Sequence, residues 1–181
     1  ILNTVDINGK KHQKIGRNLD RTSDLITLGD VTPSFSSANT PIWSTDGTRI
    51  YYGISNEGRQ HIVEANLKTR KTRIVTADNT VAVSWSMGGC PTVIVFNGAS
   101  LASPDELYSL DMEPGQTKQI SAFNHRYINS VKYLVAEEIS FNNGQQDLMG
   151  WLVKPTGFNP SKKYPLVLNI HGGPRAQYGR T

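Results

Sequence analysis

Three observations predict a mainly β chain built around part of a propeller: a recurring hairpin, tryptophan-led turns that recur beside it, and a change of character after Asn124. Glu106–Gly115 aligns with His61–Arg70 at an offset of 45 residues. Each stretch reads as a short alternating strand and a turn, followed by a second strand, Thr117-Lys-Gln-Ile120 or Thr72-Arg-Ile-Val75. Asp6–Ile15 aligns with Asp111–Ile120 without gaps, giving a third copy. Upstream, Ile42-Trp43-Ser44 with Asp46-Gly47 precedes Arg49–Ser55, and Val83-Ser84-Trp85 with Gly88-Gly89 precedes Thr92–Asn97, so that Trp43 and Trp85 lie 42 residues apart. Asp-Gly and Gly-Gly supply the positive φ of a tight reversal, and the flanking runs are β-branched and aromatic. Each unit therefore reads as four antiparallel strands. A period of about 40–45 residues is that of a propeller blade, and the chain holds about two and a half of them. A β-sandwich is the alternative, but it does not require the same turn chemistry to recur in register.

Composition bounds the rest. With 37% hydrophobic and 19% charged residues, the 181-residue chain belongs with globular proteins rather than disordered tails. Its longest apolar runs, such as Thr92–Phe96 and Leu166–Leu168, are strand-length, far below the ~20 residues of a spanning helix. Cys90 is the one cysteine, and no Cys/His pair has zinc spacing, so no disulfide, metal or cofactor is expected. The net charge of +4 resides upstream: residues 1–76 carry 11 Lys/Arg against 7 Asp/Glu, and residues 77–181 carry 8 against 8. Those charges fall in turns and edge strands without interleaved aromatic residues for base stacking, which points away from nucleic acid. The opening has no initiator Met, charged n-region or apolar h-region. The chain is expected to start inside a longer protein, assigned to the cytoplasm with secretion as the open alternative because a signal peptide is neither found nor excluded, and its close on loop chemistry reads as a fragment.

The Trp43-Ser-Thr-Asp-Gly47 segment resembles the Trp-Ser-Pro-Asp-Gly signature of blades in the TolB-like and prolyl oligopeptidase families, and Trp85-Ser-Met-Gly-Gly89 is a degenerate second copy. Recurrence at the same place predicts that Trp43 and Trp85 pack between blades rather than stack on a ligand. Residues 16–41, rich in Ser, Thr, Asp and Asn, read as a surface loop with an outer strand.

After Asn124 the repeat stops. Tyr127, Ile128, Val131, Leu134 and Val135 are spaced for one short helix. Glu138–Phe141 and Leu148–Lys154 read as a hairpin reversed by Asn142-Asn143-Gly144. Leu166–Ile170 is an apolar run suited to a strand buried on both faces, and it delivers His171-Gly-Gly-Pro174. Together, Glu138-Ile-Ser-Phe141, Gly150-Trp-Leu-Val-Lys-Pro155, Lys162-Lys-Tyr-Pro165 and His171-Gly-Gly-Pro174 resemble the start of the catalytic domain of prolyl oligopeptidase family serine peptidases, in the branch with acylaminoacyl peptidases and dipeptidyl aminopeptidase-like enzymes. The resemblance implies three parts: terminal propeller blades over 1–124, a linker over 125–138, and over 139–181 the first strands of an α/β-hydrolase sheet.

Acyl transfer builds negative charge on a carbonyl oxygen, and an α/β-hydrolase takes one oxyanion donor from the loop after an early strand. The resemblance implies that Gly173 N–H is that donor, with Gly172 and Pro174 shaping the turn and His171 hydrogen-bonding within the loop. Arg175 follows the loop and reads either as a substrate contact or as a solvent-facing loop charge. His171 is not a triad base, because in this fold the base follows the nucleophile along the chain. No Gly-x-Ser-x-Gly occurs. Ser44, Ser86 and Ser121 fall in blade strands or turns, so the nucleophile, its acid and its base are absent and this chain alone is expected to hydrolyse nothing. His12, His61 and His125 read as surface or satisfied residues, Glu137 and Glu138 as edge charges, and Cys90 as a plain thiol. The expected partners are a peptide substrate and, in the full-length parent, further copies of itself, with neither nucleic acid nor membrane. A non-enzymatic TolB-like binding propeller and a carboxylesterase remain as alternatives. Isolated blades lack neighbours to cover them, so the separate chain is expected to aggregate or partly unfold.

Overall fold

In a computed structural model, residues 2–21, 23, 26–28, 40–88, 93–113, 115–173 and 176–180 are described. The chain is mainly β. Two four-stranded antiparallel units follow one another. The first is β4 (Ile42–Trp43), β5 (Arg49–Asn56), β6 (Arg59–Asn66) and β7 (Thr72–Ile74); the second is β8 (Val81–Met87), β9 (Val93–Ser100), β10 (Ser103–Asp111) and β11 (Gln116–Gln119). A single parallel pairing, Gln60 with Val81, links them. An earlier hairpin, β1 (Leu2–Thr4) with β2 (Gln13–Ile15), stands before the first unit.

The three predicted hairpin copies share one register. Thr4 opposite Gln13, Glu64 opposite Arg73 and Ser109 opposite Lys118 are the same pair under the offsets read from the sequence. The equivalence extends to hydroxyls just beyond β7 and β11. Thr76 Oγ1 lies 3.0 Å from the buried His61 ring and accepts from Ile62 N–H at 3.4 Å, while Ser121 donates to the buried Glu106 carboxylate and accepts from Leu107 N–H at 2.8 Å.

Alternation along β5 and β6 sends apolar side chains to both faces of the first unit. Ile50, Tyr52, Ile54, Val63 and Ala65 pack with Ile15 and with Leu2, Leu19 and Leu67. Tyr51 and Ile62 point the other way, into Ala82, Ile94, Phe96 and Leu110 of the second unit. The unit is thus covered on one face by a hairpin and on the other by its successor.

The Trp-led turn is held by its own polar groups. Ser44 donates to Asp46 Oδ1 at 2.6 Å, and Thr48 N–H and Oγ1 reach the same oxygen at 2.9 and 2.8 Å. These bonds, Ser44 first, bring the Asp46 carboxyl down to about 2. Trp85 packs against the second core as expected, whereas Trp43 is 55% exposed. The β1–β2 hairpin is the neighbour on that side, and it covers β5, β6 and the approach to β7: Gly16 N–H bonds Arg70 O, and Asn18 bonds Thr72. Among the described residues, edge strand β4 contributes no side chain to the core that this hairpin covers.

The short helix forms only over α1 (His125–Ser130), because Val131 turns extended at φ −119°. The second predicted hairpin is β12 (Ala136–Asn142) with β13 (Asp147–Val153), and Asn142 and Asn143 side chains accept from the turn amides of Gly144, Gln145 and Gln146. Leu166–Ile170 departs from its expected buried strand. It forms no strand, and Leu166, Val167, Leu168 and Ile170 are each at least 74% exposed. A strand buried on both faces requires flanking strands, and none lies beside it among the described residues.

Two-sided packing sets an expectation for stability. In urea unfolding of the full-length parent, Ile62→Ala should cost about 2–5 kcal/mol, and Ile74→Ala, at the 38% exposed end of β7, should cost under about 1 kcal/mol. Equal losses at the two sites would contradict the placement of the second core.

Candidate functional site

The segment after β11 is tied down before it reaches the loop of interest. Glu106, 2% exposed, accepts from Ser121, from Phe123 N–H at 3.1 Å and from Asn124 N–H at 2.7 Å. Burial pushes its carboxyl up, and the bonds from Ser121, Asn124 and Phe123 outweigh burial, so the net position is below the ordinary value. The Asn124 side chain donates to Asp105 O at 2.8 Å instead of capping α1.

Beyond α1, the chain docks on the tight turn between β5 and β6. Glu57 and Gly58 both have positive φ, 51° and 73°, the pattern of a type I′ hairpin turn. Gly58 is required there for a second reason. A Cβ on it would lie 2.5 Å from the Trp151 ring of β13 and 3.2 Å from Tyr178 O. Beside it, Arg59 Nη2 meets Glu138 Oε2 at 3.3 Å and Arg180 Nε meets the same oxygen at 3.8 Å. Glu137 is held by Lys154 at 2.6 Å. The two glutamates predicted as edge charges are therefore ion-paired, Glu138 across to the first unit.

From Pro155 the chain folds on itself through Phe158 and Tyr164, whose rings lie 5.1 Å apart, and then runs without regular secondary structure to His171. His171, Gly172 and Gly173 are exposed. His171 Nδ1–H donates to Gly172 O at 2.5 Å, a bond within the loop as the sequence predicts, and its ring contacts the Tyr178 ring edge-on at 5.4 Å. Pro174, Arg175 and Cys90 fall outside the described residues. Past the loop, β14 (Gln177–Tyr178) pairs in parallel with β3 (Thr27–Leu28), which belongs to the long insertion predicted as a loop with an outer strand. Gln177 N–H bonds Ile26 O at 3.2 Å, and its side-chain amide donates to Thr27 Oγ1 at 2.8 Å and to Arg59 O at 3.3 Å. Arg180 N–H bonds Gly58 O at 2.9 Å.

The remaining candidates are structural. Ser44 and Ser121 bond carboxylates, Ser86 is exposed on β8, and His61 is buried against Thr76 and lowered in pKa by that burial, then by Arg59. His12 pairs with Asn3 and His125 with Asn129, both on the surface. Among the described residues, no group of three or more His, Cys, Asp or Glu is placed to hold a metal ion. What the site offers chemically is exposed glycine backbone beside an imidazole, anchored to a β unit. Sequence reasoning missed Gly58, Arg59, Thr27, Gln177 and Tyr178. The alternating runs on both sides of Glu57-Gly58 signal the turn, but nothing local signals its docking partner.

Comparison with known proteins decides the lineage. The chain is 32% identical over 129 residues to dipeptidyl-peptidase 5 of Porphyromonas endodontalis, covering 70% of this chain and 18% of that protein. It is 26% identical over 186 residues to a probable dipeptidyl-peptidase 5 of Arthroderma benhamiae, covering 99% of this chain and 23% of the relative. As a partial-chain match, it belongs to the prolyl oligopeptidase family of serine peptidases. Two solved structures share its fold over 73% of its length and 20% of theirs, both at 20% identity: Pyrococcus horikoshii acylaminoacyl peptidase, with a TM-score of 0.60, and an acylaminoacyl peptidase in complex with Z-Gly-Gly-Phe-chloromethyl ketone, with a TM-score of 0.62. No protein-family profile matches the chain. The chain spans about a fifth of the length of the curated relatives it matches.

The Glu106 anchor predicts an acid-labile junction. A carboxyl lowered in the folded state contributes stability above its unfolded pKa of about 4.3 and loses that contribution as pH falls through its lower folded value. Thermal melts of the full-length parent should show the Glu106→Gln variant less stable than the unsubstituted protein at pH 7, with the gap closing below about pH 4. A gap that persists unchanged to pH 3 would contradict the anchor.

Proposed function

We propose that this chain is the junction between a β-propeller and the opening of an α/β-hydrolase domain in a serine peptidase acting on short peptides, of the dipeptidyl- or acylaminoacyl-peptidase type. In this reading the four-stranded units are blades that restrict access to small substrates. The observation that carries it is the alignment of 99% of the chain, repeated units and glycine loop together, with a relative named as a dipeptidyl-peptidase.

The chemistry assigned to the loop follows from the charge of acyl transfer. As a nucleophile adds to the scissile carbonyl, the oxygen gains negative charge, and a fixed N–H aimed at it lowers the barrier by about 3 kcal/mol. Gly173 N–H takes that role, with Gly172 beside it and His171 closing the turn through Gly172 O. Arg175 is placed by the reading near the substrate. The nucleophile, acid and base are assigned to the part of the parent that this sequence does not span, so the 181-residue chain by itself hydrolyses nothing.

The test uses the parent protein and this chain side by side. A fluorophosphonate should label the parent and leave this chain unlabelled, and the parent should cleave an aminoacyl- or acyl-peptide anilide. Gly173→Pro, which removes the N–H, should lower kcat about 100-fold with KM little changed, while Gly173→Ala, which keeps it, should retain most activity. An unlabelled parent would favour a binding propeller, turnover of acyl esters alone would favour a carboxylesterase, and full activity in Gly173→Pro would remove the oxyanion role.

A further inference from the structure

We infer that Gln177 is a positioning residue that fixes the glycine loop against the first β unit, with the Gly58 turn as its socket; this rests on the reading of the loop just proposed. The loop has no regular structure of its own, and His171, Gly172 and Gly173 are exposed. What holds it comes from the residues that follow. The Gln177 amide donates to two acceptors on different segments, Thr27 Oγ1 at 2.8 Å and Arg59 O at 3.3 Å, and its backbone N–H donates to Ile26 O at 3.2 Å. Thr27 is 6% exposed and lies 3.4 Å, hydroxyl to hydroxyl, from Ser55 of β5, so this acceptor belongs to the buried frame of the unit.

The connection then runs back to the glycines. Gln177 fixes Tyr178, whose carbonyl lies against Gly58 and whose ring contacts the His171 ring at 5.4 Å. His171 in turn donates to Gly172 O. Arg180 N–H on Gly58 O closes the far side of the same socket. An unstructured glycine loop is thereby referenced to a β turn whose own strands are buried on both faces. An oxyanion donor displaced by about 1 Å loses on the order of 100-fold in rate, so the register of Gln177 against Thr27 and Arg59 sets how well the loop works.

The full-length parent carries the experiment, with active sites counted by fluorophosphonate titration so that unfolded molecules do not enter kcat. Gln177→Ala should lower kcat about 10- to 100-fold with KM within about twofold and leave the melting temperature nearly unchanged. Thr27→Val should give a smaller loss in the same direction, and the double variant should be no worse than Gln177→Ala, because both act through one bond. Gly58→Ala, which forces Trp151 and Tyr178 away, should lower kcat in the same manner. Amide exchange at Gly172 and Gly173 should quicken in Gln177→Ala. A labelled, active parent whose Gln177→Ala variant keeps kcat, or loses activity only in proportion to titrated sites, overturns this inference alone. A parent that takes up no fluorophosphonate overturns the peptidase reading and this inference with it.

Discussion

The structure depends on the fact that β5 and β6 carry apolar side chains on both faces. Ile50, Tyr52, Ile54, Val63 and Ala65 face one way, Tyr51 and Ile62 the other, and neither set tolerates water at roughly 25 cal/mol per Å² of exposed apolar surface. The unit is therefore stable only between neighbours, which is why the pattern repeats. Clamped from both sides, its β5–β6 turn becomes a fixed point. The later segment uses that point as its anchorage: Trp151, Glu138, Tyr178 and Arg180 all meet at Gly58 and Arg59.

Polar groups repeat with the same discipline as apolar ones. His61 with Thr76 and Glu106 with Ser121 occupy equivalent places, a hydroxyl bridging a buried polar side chain and the next backbone amide. The chemistry of the buried partner differs, and so does its use. The neutral imidazole satisfies only its own unit. The carboxylate has acceptor capacity left over, and it gathers the Phe123 and Asn124 amides, so the departing chain is fastened where the repeat ends.

Much of this was legible in the sequence because it is local. The hairpin register, the Ser44–Asp46 turn and the Asn142–Gly144 reversal follow from alternation and turn chemistry within a few residues. The His171 bond inside its loop was legible for the same reason. The errors arose where a residue's surroundings are supplied from far along the chain. Trp43 has the spacing of a packed residue, but the hairpin on its side packs on β5 and β6 and leaves it exposed. Leu166–Ile170 has the composition of a buried strand without flanking strands among the described residues. The docking of Gln177 on Thr27 joins positions 150 residues apart through an amide and a hydroxyl, two groups with no periodicity to betray them.

The proposed oxyanion role depends on where the glycine amides point when chemistry occurs. The direct measurement is a crystal structure of the full-length parent with a phosphonate bound as a mimic of the tetrahedral intermediate. Gly173 N should lie about 2.7–3.1 Å from the phosphonyl oxygen, with Gln177 still bonded to Thr27 and Arg59. A phosphonyl oxygen held by other donors, with Gly173 N–H turned away from it, would contradict the account.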